Sequence, residues 1–269
     1  MNRLNDDQNK MLDIFLGKSP ILATAIHNGH RLRSEVAEII NLDDATRLRE
    51  EDPFTGEWTA IAKNRITGLY SRFEVDLNRP RDRAIYIKPD DAWGLKVWKT
   101  EPSPRLINTS LGKYDSFYLE IQQILADLVK KFKLVIVLDL HSYNYLREGP
   151  DGPPADPELN PEVNIGTGSV NRDLWGNLVD RFISDLRRYR YFDRNLDVRE
   201  NVKFKGGYFS QWIHQTFPKN VCALAIEFKK FFMDEWTGKP DQKQLKEIGN
   251  ALQSTISGLL AEIDIMLKK

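Results

Sequence analysis

A chain of 269 residues with 41% hydrophobic and 29% charged residues has the composition of a globular protein able to bury a large core, and one domain spanning 1–269 is the expected organisation. Its 39 Lys and Arg balance its 39 Asp and Glu, so no global field would hold it on nucleic acid or anionic lipid, and recognition of any anion must be local. The opening Met1-Asn2-Arg3-Leu4-Asn5-Asp6-Asp7 lacks the basic and then apolar run of a secretion signal, and no apolar stretch reaches membrane-spanning length, so a cytoplasmic protein with no membrane partner is expected.

The first element is an apolar run, Pro20 to Ile26, that leads directly into His27-Asn28-Gly29-His30. An acidic stretch, Arg49-Glu50-Glu51-Asp52-Pro53-Phe54, follows, and by itself it reads as a solvated turn. From Ser71 to Arg79 the residues Phe73, Val75 and Leu77 alternate with Glu74, Asp76 and Asn78, the pattern of a half-buried strand with a polar face, which Pro80 should end. Ser116 to Lys131 keeps Phe117, Ile121, Ile124, Leu125 and Leu128 at helical spacing. Lys133 to Leu138 is a second apolar run, ending in Asp139-Leu140-His141-Ser142. The Pro, Gly and Asp-rich stretch Arg147 to Asn164 reads as a long active-site loop.

Asp173 to Arg188 is a second amphipathic helix, and Val221 to Ile226 is a third apolar run, ending in Glu227. A closing helix covers Asp241 to Leu267, with Asp241 as its N-cap. Continuous apolar runs suit central strands buried on both faces, and their alternation with helices argues for a layered α/β fold around a mixed, mainly parallel sheet. The single cysteine, Cys222, sits inside the third run and is expected in the core, as are Trp58, Trp93 and Trp98.

Two of the four histidines, His27 and His141, lie just beyond buried strands, where ligands gather in open α/β sheets. Two imidazoles arriving there can share one metal ion, and a catalytic zinc site adds a third protein ligand while leaving one position open. Glu51 and Asp52 are the carboxylate candidates, with His30 a further contender or a supporting donor. Glu227 is a carboxylate at the end of an apolar strand. Beside such a centre it can serve as general base; otherwise it pairs with Lys229 or Lys230. Asn78-Arg79 offers a directional amide and a fixed fork of donors suited to a substrate carboxylate, and Arg72 can contribute from earlier in the same segment.

In this order, a His-x-Gly after the first strand, an acidic segment, Val75-Asp76-Leu77-Asn78-Arg79, Asp139-Leu140-His141-Ser142 and a late Glu227 resemble the N-formylglutamate amidohydrolase family, over roughly residues 20 to 235. The order also echoes the zinc carboxypeptidases. The resemblance implies a three-layer αβα sandwich with one zinc ion. It makes His27 and His141 metal ligands, with Glu51 or Asp52 as the third, and Glu227 the base. It also implies that Asn78 and Arg79 hold the substrate carboxylate, that Ser142 lines the pocket, and that the Lys205-Gly206-Gly207-Tyr208 loop can bring Tyr208 or a lysine to the substrate.

Two positions depart from these patterns. His30 stands where the carboxypeptidases carry a glutamate, and Asn28 stands where the amidohydrolases usually have serine. The expected activity is zinc-dependent cleavage of an N-acylated acidic amino acid, N-formylglutamate first. The alternatives are a peptidase or another N-acyl amino acid hydrolase on the same scaffold, separated by substrate profiling, and a metal-free carboxylate-binding module, separated by elemental analysis.

Overall fold

The computed structural model describes residues 10–268, so the opening segment Met1–Asp7 lies outside the described residues. Its strands are β1 (Leu12–Phe15), β2 (Ile21–Ala25), β3 (Asn64–Gly68), β4 (Val135–Tyr143), β5 (Val163–Gly166), β6 (Arg190–Tyr191), β7 (Arg194–Asn195), β8 (Val198–Glu200) and β9 (Val221–Lys229). The helices are α1 (Ser34–Ile39), α2 (Asp44–Glu50), α3 (Thr55–Trp58), α4 (Pro104–Phe132), α5 (Arg172–Arg188), α6 (Tyr208–Thr216) and α7 (Gln242–Met266). Seven strands form one sheet in the order β1-β3-β2-β4-β9-β5-β8, and β6 pairs with β7 in a separate hairpin. Strands β3, β2, β4 and β9 are parallel neighbours, β1 is antiparallel to β3, β5 is antiparallel to β9, and β8 is parallel to β5. The expected mixed, mainly parallel α/β sheet is therefore present.

The period of two along the central strands divides the interior into two cores. Ile136, Leu138 and Leu140 of β4 face one side with Cys222, Leu224, Ile226 and Phe228 of β9, where they pack with α5 and α7. Val135 and Val137 face the other side with Val221 and Ala223, where they meet α4 and α6. Helices thus cover both faces of the sheet in three layers. On α5 the buried Trp175, Leu178, Val179, Phe182 and Leu186 recur every three or four residues, and each large side chain so enclosed contributes roughly 1.5–3 kcal/mol. Asp241 caps α7 as expected, its side chain accepting from the backbone N–H groups of Lys243 and Gln244.

Several expectations are corrected. Helix α4 begins well before Ser116, because Ser103 caps it and Pro104 occupies its first turn, where a missing N–H is harmless. Ser71 to Arg79 is a chain of turns, with no strand. Its alternation reflects burial on both sides, since Glu74 and Asp76 are as enclosed as Phe73 and Val75. Glu74 is held by Arg33 Nε at 2.5 Å and by Ser110 Oγ at 3.0 Å. The stretch from Arg147 to Asn164 ends inside β5, and within it only Arg147 lines the main cavity. Trp58 and Trp98 are core residues, but Trp93 is 45% exposed and forms part of the cavity wall. Among the described residues no helix is long and apolar enough to cross a membrane.

Candidate active site

The parity that sorts the two cores also builds the site. Strands β2, β4 and β9 run in the same direction, so their carboxyl ends lie together, and the face that carries Val137 and Ala223 continues into Asp139, His141 and Glu227. His141 and Glu227 are register partners across β4 and β9. His27 follows β2 directly, and its carbonyl accepts from the Asp52 N–H at 3.0 Å, which fixes the acidic segment beneath the strand ends. Gly29 makes this turn possible, since a side chain there would run into the backbone of Leu69 and Tyr70 at 2.3–2.6 Å.

His27, Asp52 and His141 are all buried, and each offers a ligand atom within 4.8 Å of the others. The two imidazole rings meet edge to face with centroids 5.1 Å apart. Each ring has one nitrogen held by a carboxylate: His27 Nε2 lies 2.7 Å from Asp76 Oδ1, and His141 Nε2 lies 2.8 Å from Asp139 Oδ2. Because a carboxylate only accepts, the proton sits on Nε2 in both rings, and Nδ1 of each is turned toward Asp52 Oδ2, at 3.5 Å from His27 and 2.9 Å from His141.

Two ring nitrogens and a carboxylate oxygen converging in a buried space repel one another unless a cation or a proton sits among them. The donor set and its outer carboxylates fit a zinc ion, for which two histidines, one carboxylate and hydrogen-bonded outer nitrogens are an ordinary arrangement. Burial alone would raise the Asp52 carboxyl, yet hydrogen bonds from His141 and His27 hold it well below the usual carboxylate range. Burial works against a charged His141, and the carboxylates of Asp139 and Glu227 outweigh it, so its pKa lies well above the ordinary value.

The neighbouring candidates point elsewhere. Glu51 does not join the group: its carboxylate accepts from Ser71 Oγ and lies 2.5 Å from His30 Nδ1. His30 thereby also stays outside, with Arg47 Nη2 beside its other nitrogen at 3.1 Å. Glu227 makes no ion pair with either lysine, since Lys229 Nζ donates to Asn160 O at 2.8 Å and Lys230 Nζ to the carbonyls of Arg49 and Glu51 and to Asn144 Oδ1. Burial pushes the Glu227 carboxyl up to about 7, with Asp52 and Asp139 adding to the rise while His141 and His27 oppose it. Burial likewise brings the Lys230 ammonium down to about 8.

His27, Asp52, His141, Glu227 and Lys230 line a cavity of about 290 Å³ together with Arg72, Asn78, Arg79, Trp93, Ser142 and Gly207, whereas Glu51, His30 and Lys229 do not. Arg72 gives one donor each to Tyr86 Oη at 3.0 Å, Glu50 O at 3.2 Å and Asp76 Oδ2 at 2.9 Å, so it braces Asp76 from the cavity wall. Arg79 only approaches Asp76 Oδ2 at 3.6 Å, beyond a good hydrogen bond, and keeps its guanidinium over the Tyr86 ring. Asn78 Oδ1 accepts from Phe209 N–H at 3.0 Å, and Gly207 presses so closely on the same amide that a Cβ would collide at 2.2 Å. Ser142 Oγ is buried without a hydrogen-bond partner among the described residues, on the cavity wall. Tyr208 does not line the cavity, because its ring packs against Tyr118 at the start of α6.

Residues not anticipated are Asp76 and Asp139 as partners of the histidines, Lys230, and Glu50 with its ion-pair partner Arg147 at 3.2 Å. Asp139 was within reach of a sequence argument, being two positions before His141 on a strand and so on its face. Asp76 and Lys230 carried no such signal, since both depend on how a loop or a strand end meets a distant segment.

A parallel-strand α/β fold with a buried His–Asp–His group at its carboxyl edge, a facing glutamate and an arginine on the cavity wall whose donors make no hydrogen bond among the described residues defines an enzyme-like ligand site of the open-sheet class. A profile of the N-formylglutamate amidohydrolase family matches residues 19–233, and the chain belongs to that family. It is therefore placed among enzymes that hydrolyse an amide of a small molecule.

The fold is similar to that of the N-formylglutamate amidohydrolase of Ralstonia eutropha JMP134, with a TM-score of 0.70 and 16% identity over 96% of this chain and 98% of that one. It is also similar to a gene product of Agrobacterium tumefaciens, with a TM-score of 0.67, 16% identity and the same coverage. A carboxypeptidase A-type chain from Shewanella denitrificans OS-217, at 12% identity and a TM-score of 0.36, is too distant to bear on the fold. No curated protein sequence matches the chain.

Proposed function

We propose that this protein is a zinc-dependent amidohydrolase acting on an N-acylated acidic amino acid, with N-formylglutamate, split to formate and glutamate, as the best-fitting substrate. The observation that carries the reading is the convergence of His27 Nδ1, His141 Nδ1 and Asp52 Oδ2 in a buried pocket with Glu227 opposite His141. When bound by these three residues, zinc would supply a Lewis acid that polarises the scissile carbonyl and acidifies water.

Everything else falls to the chain itself. Glu227 accepts a proton from the attacking water and returns it to the amide nitrogen as the C–N bond breaks, leaving a carboxylic acid and a free amine. Its burial, which lifts the carboxyl to about 7, suits a group that must both take and give a proton near neutrality. Arg79, with donors not committed within the protein, pairs with the substrate carboxylate, and Asn78, fixed by Phe209 N–H and Gly207, sets the side of that contact. Ser142 offers its unpartnered hydroxyl to the same ligand. Asp76 and Asp139 hold the two Nε2–H groups, so that Nδ1 of each ring is the nitrogen that would meet a metal ion on losing its proton.

Glu227→Gln tests the base directly. The variant is expected to retain zinc at the wild-type stoichiometry, by elemental analysis, while kcat on N-formylglutamate drops roughly 10²–10⁴-fold. Undiminished turnover in the metal-replete variant would remove Glu227 from the mechanism. Parallel assays with peptides would separate this reading from a peptidase, which would release C-terminal residues and no formate.

A further inference from the structure

Lys230 is among the largest fully enclosed side chains of the protein, and its ammonium has no carboxylate within ion-pair distance among the described residues. A buried ammonium whose hydrogen bonds go only to carbonyl oxygens, with the carboxylates of Asp52, Glu50 and Glu235 acting on it from beyond pairing distance, is an expensive arrangement, so its geometry calls for a reason. Its three donors reach Arg49 O at 2.5 Å, Glu51 O at 2.7 Å and Asn144 Oδ1 at 2.7 Å, and an ammonium has three donors to give. None is left for a substrate.

The acceptors are informative by position. Arg49 lies in the last turn of α2 and Glu51 is its C-cap, where carbonyls lack helical partners and attract a positive charge; the next residue is Asp52. Asn144 stands three residues past His141 at the end of β4, and Lys230 stands three residues past Glu227 at the end of β9, on strands whose register pairs His141 with Glu227. The Lys230 N–H donates to Tyr143 O at 3.0 Å, which carries that register up to the ammonium. A single charged group therefore joins the three segments that bear Asp52, His141 and Glu227. Asp52 is gripped from both sides, its own N–H by His27 O and the preceding carbonyl by Lys230.

We infer that Lys230 is a positioning residue that sets the Asp52 carboxylate against His27 and His141, and so determines metal affinity without touching metal or substrate. The inference rests on the reading of those three residues as metal ligands. Without the ammonium, the Glu51–Asp52 peptide keeps only its N–H contact with His27 O and loses one of the two bonds that fix its rotation, and a shift there is carried directly into the carboxylate.

The test is zinc affinity of the metal-stripped full-length protein, measured by competition with a chelator, beside thermal melts of the same apoproteins. Lys230→Met is expected to bind zinc roughly 10–100-fold more weakly at a temperature where it and the wild type are both folded. Lys230→Cys in a Cys222→Ala background is expected to show the same loss and to recover affinity when aminoethylated in denaturant and refolded beside the background protein, which rebuilds an ammonium at nearly the original length at the only remaining cysteine. Wild-type affinity in folded Lys230→Met, or no recovery on aminoethylation, would overturn the inference. If Lys230→Met does not fold, Asn144→Ala removes one acceptor and keeps the cation, and unchanged zinc affinity in that variant would overturn it equally. A wild-type protein that binds no zinc would instead sink the underlying metal reading, an outcome visible before any variant is compared.

Discussion

At the scale of single residues, Asp76 links the metal-ligand group to the substrate end of the pocket. Its carboxylate accepts from His27 Nε2, Asn78 N–H, Arg72 Nη2 and Tyr86 Oη, and Arg72 and His27 together hold it well below the ordinary carboxylate range although burial opposes them. The arginine next along the loop, Arg79, has a side chain 23% exposed and holds Asp76 only at 3.6 Å, so a substrate anion can reach its donors without breaking a close hydrogen bond. Arg79→Met should therefore lower kcat/KM for N-formylglutamate by about 10–100-fold, the worth of a charge-assisted hydrogen bond, with most of the loss in KM. Steady-state kinetics checks this, and an unchanged KM would move the carboxylate contact elsewhere.

Asp76 also shows where the sequence stops being readable. Alternation from Phe73 to Asn78 is real, yet it arises because a turn-rich loop is buried on two sides, and the polar side is filled by Arg33, Ser110, His27 and Tyr86 from distant parts of the chain. The same limit kept Glu51 and Asp52 indistinguishable in sequence. Adjacent residues past a helix end point in opposite directions, and contacts from distant segments determine which one meets His27 and His141, the His27 O to Asp52 N–H bond and the Ser71 and His30 contacts of Glu51 among them.

At the scale of elements, α6 and β9 are joined by a histidine outside the site. His214 Nε2 accepts from the Ala223 N–H at 2.9 Å, and its Nδ1 lies 2.8 Å from Ser169 Oγ. Because Nε2 must accept, the proton is on Nδ1 and is donated to the serine, the reverse of what activation of a serine nucleophile requires. The pair is structural, closing a backbone donor on β9 in the stretch beyond its pairing with β5.

Burial lowers the His214 pKa to about 4, below the ordinary 6.5. Between those pH values the unfolded chain binds a proton that the folded chain refuses, so this contribution is whole above about pH 6.5 and is lost as pH falls toward 4. Denaturant unfolding of wild type and His214→Gln should show the stability advantage of wild type shrinking by about 2 kcal/mol from pH 7 to pH 5. A pH-independent difference would mean that His214 takes up its proton equally in the native and unfolded states, contradicting the lowered value.

At the scale of the whole molecule, two cores separated by one sheet explain why the central strands could be read and the site only partly so. Strands β2, β4 and β9 are buried on both faces, leaving apolar runs whose polar ends stand out, and His27, His141 and Glu227 lie at or next to those ends. The edge strands β1 and β8, and β5 beside β8, are three or four residues long and carry no such signal. The layered architecture brings three strand ends together, and loops from four other regions complete the pocket around them. Whatever the strand ends contribute follows from periodicity, whereas Asp52, Asp76, Arg79 and Lys230 depend on the fold having formed.

The most direct measurement is a crystal structure of the zinc-soaked protein with anomalous data at the zinc edge. One ion should lie within about 2.0–2.2 Å of His27 Nδ1, His141 Nδ1 and an Asp52 carboxylate oxygen, with Glu51 still bound to Ser71 and His30. An ion held by Glu51 or His30 in place of Asp52, or no anomalous peak between the two imidazoles, would contradict the account.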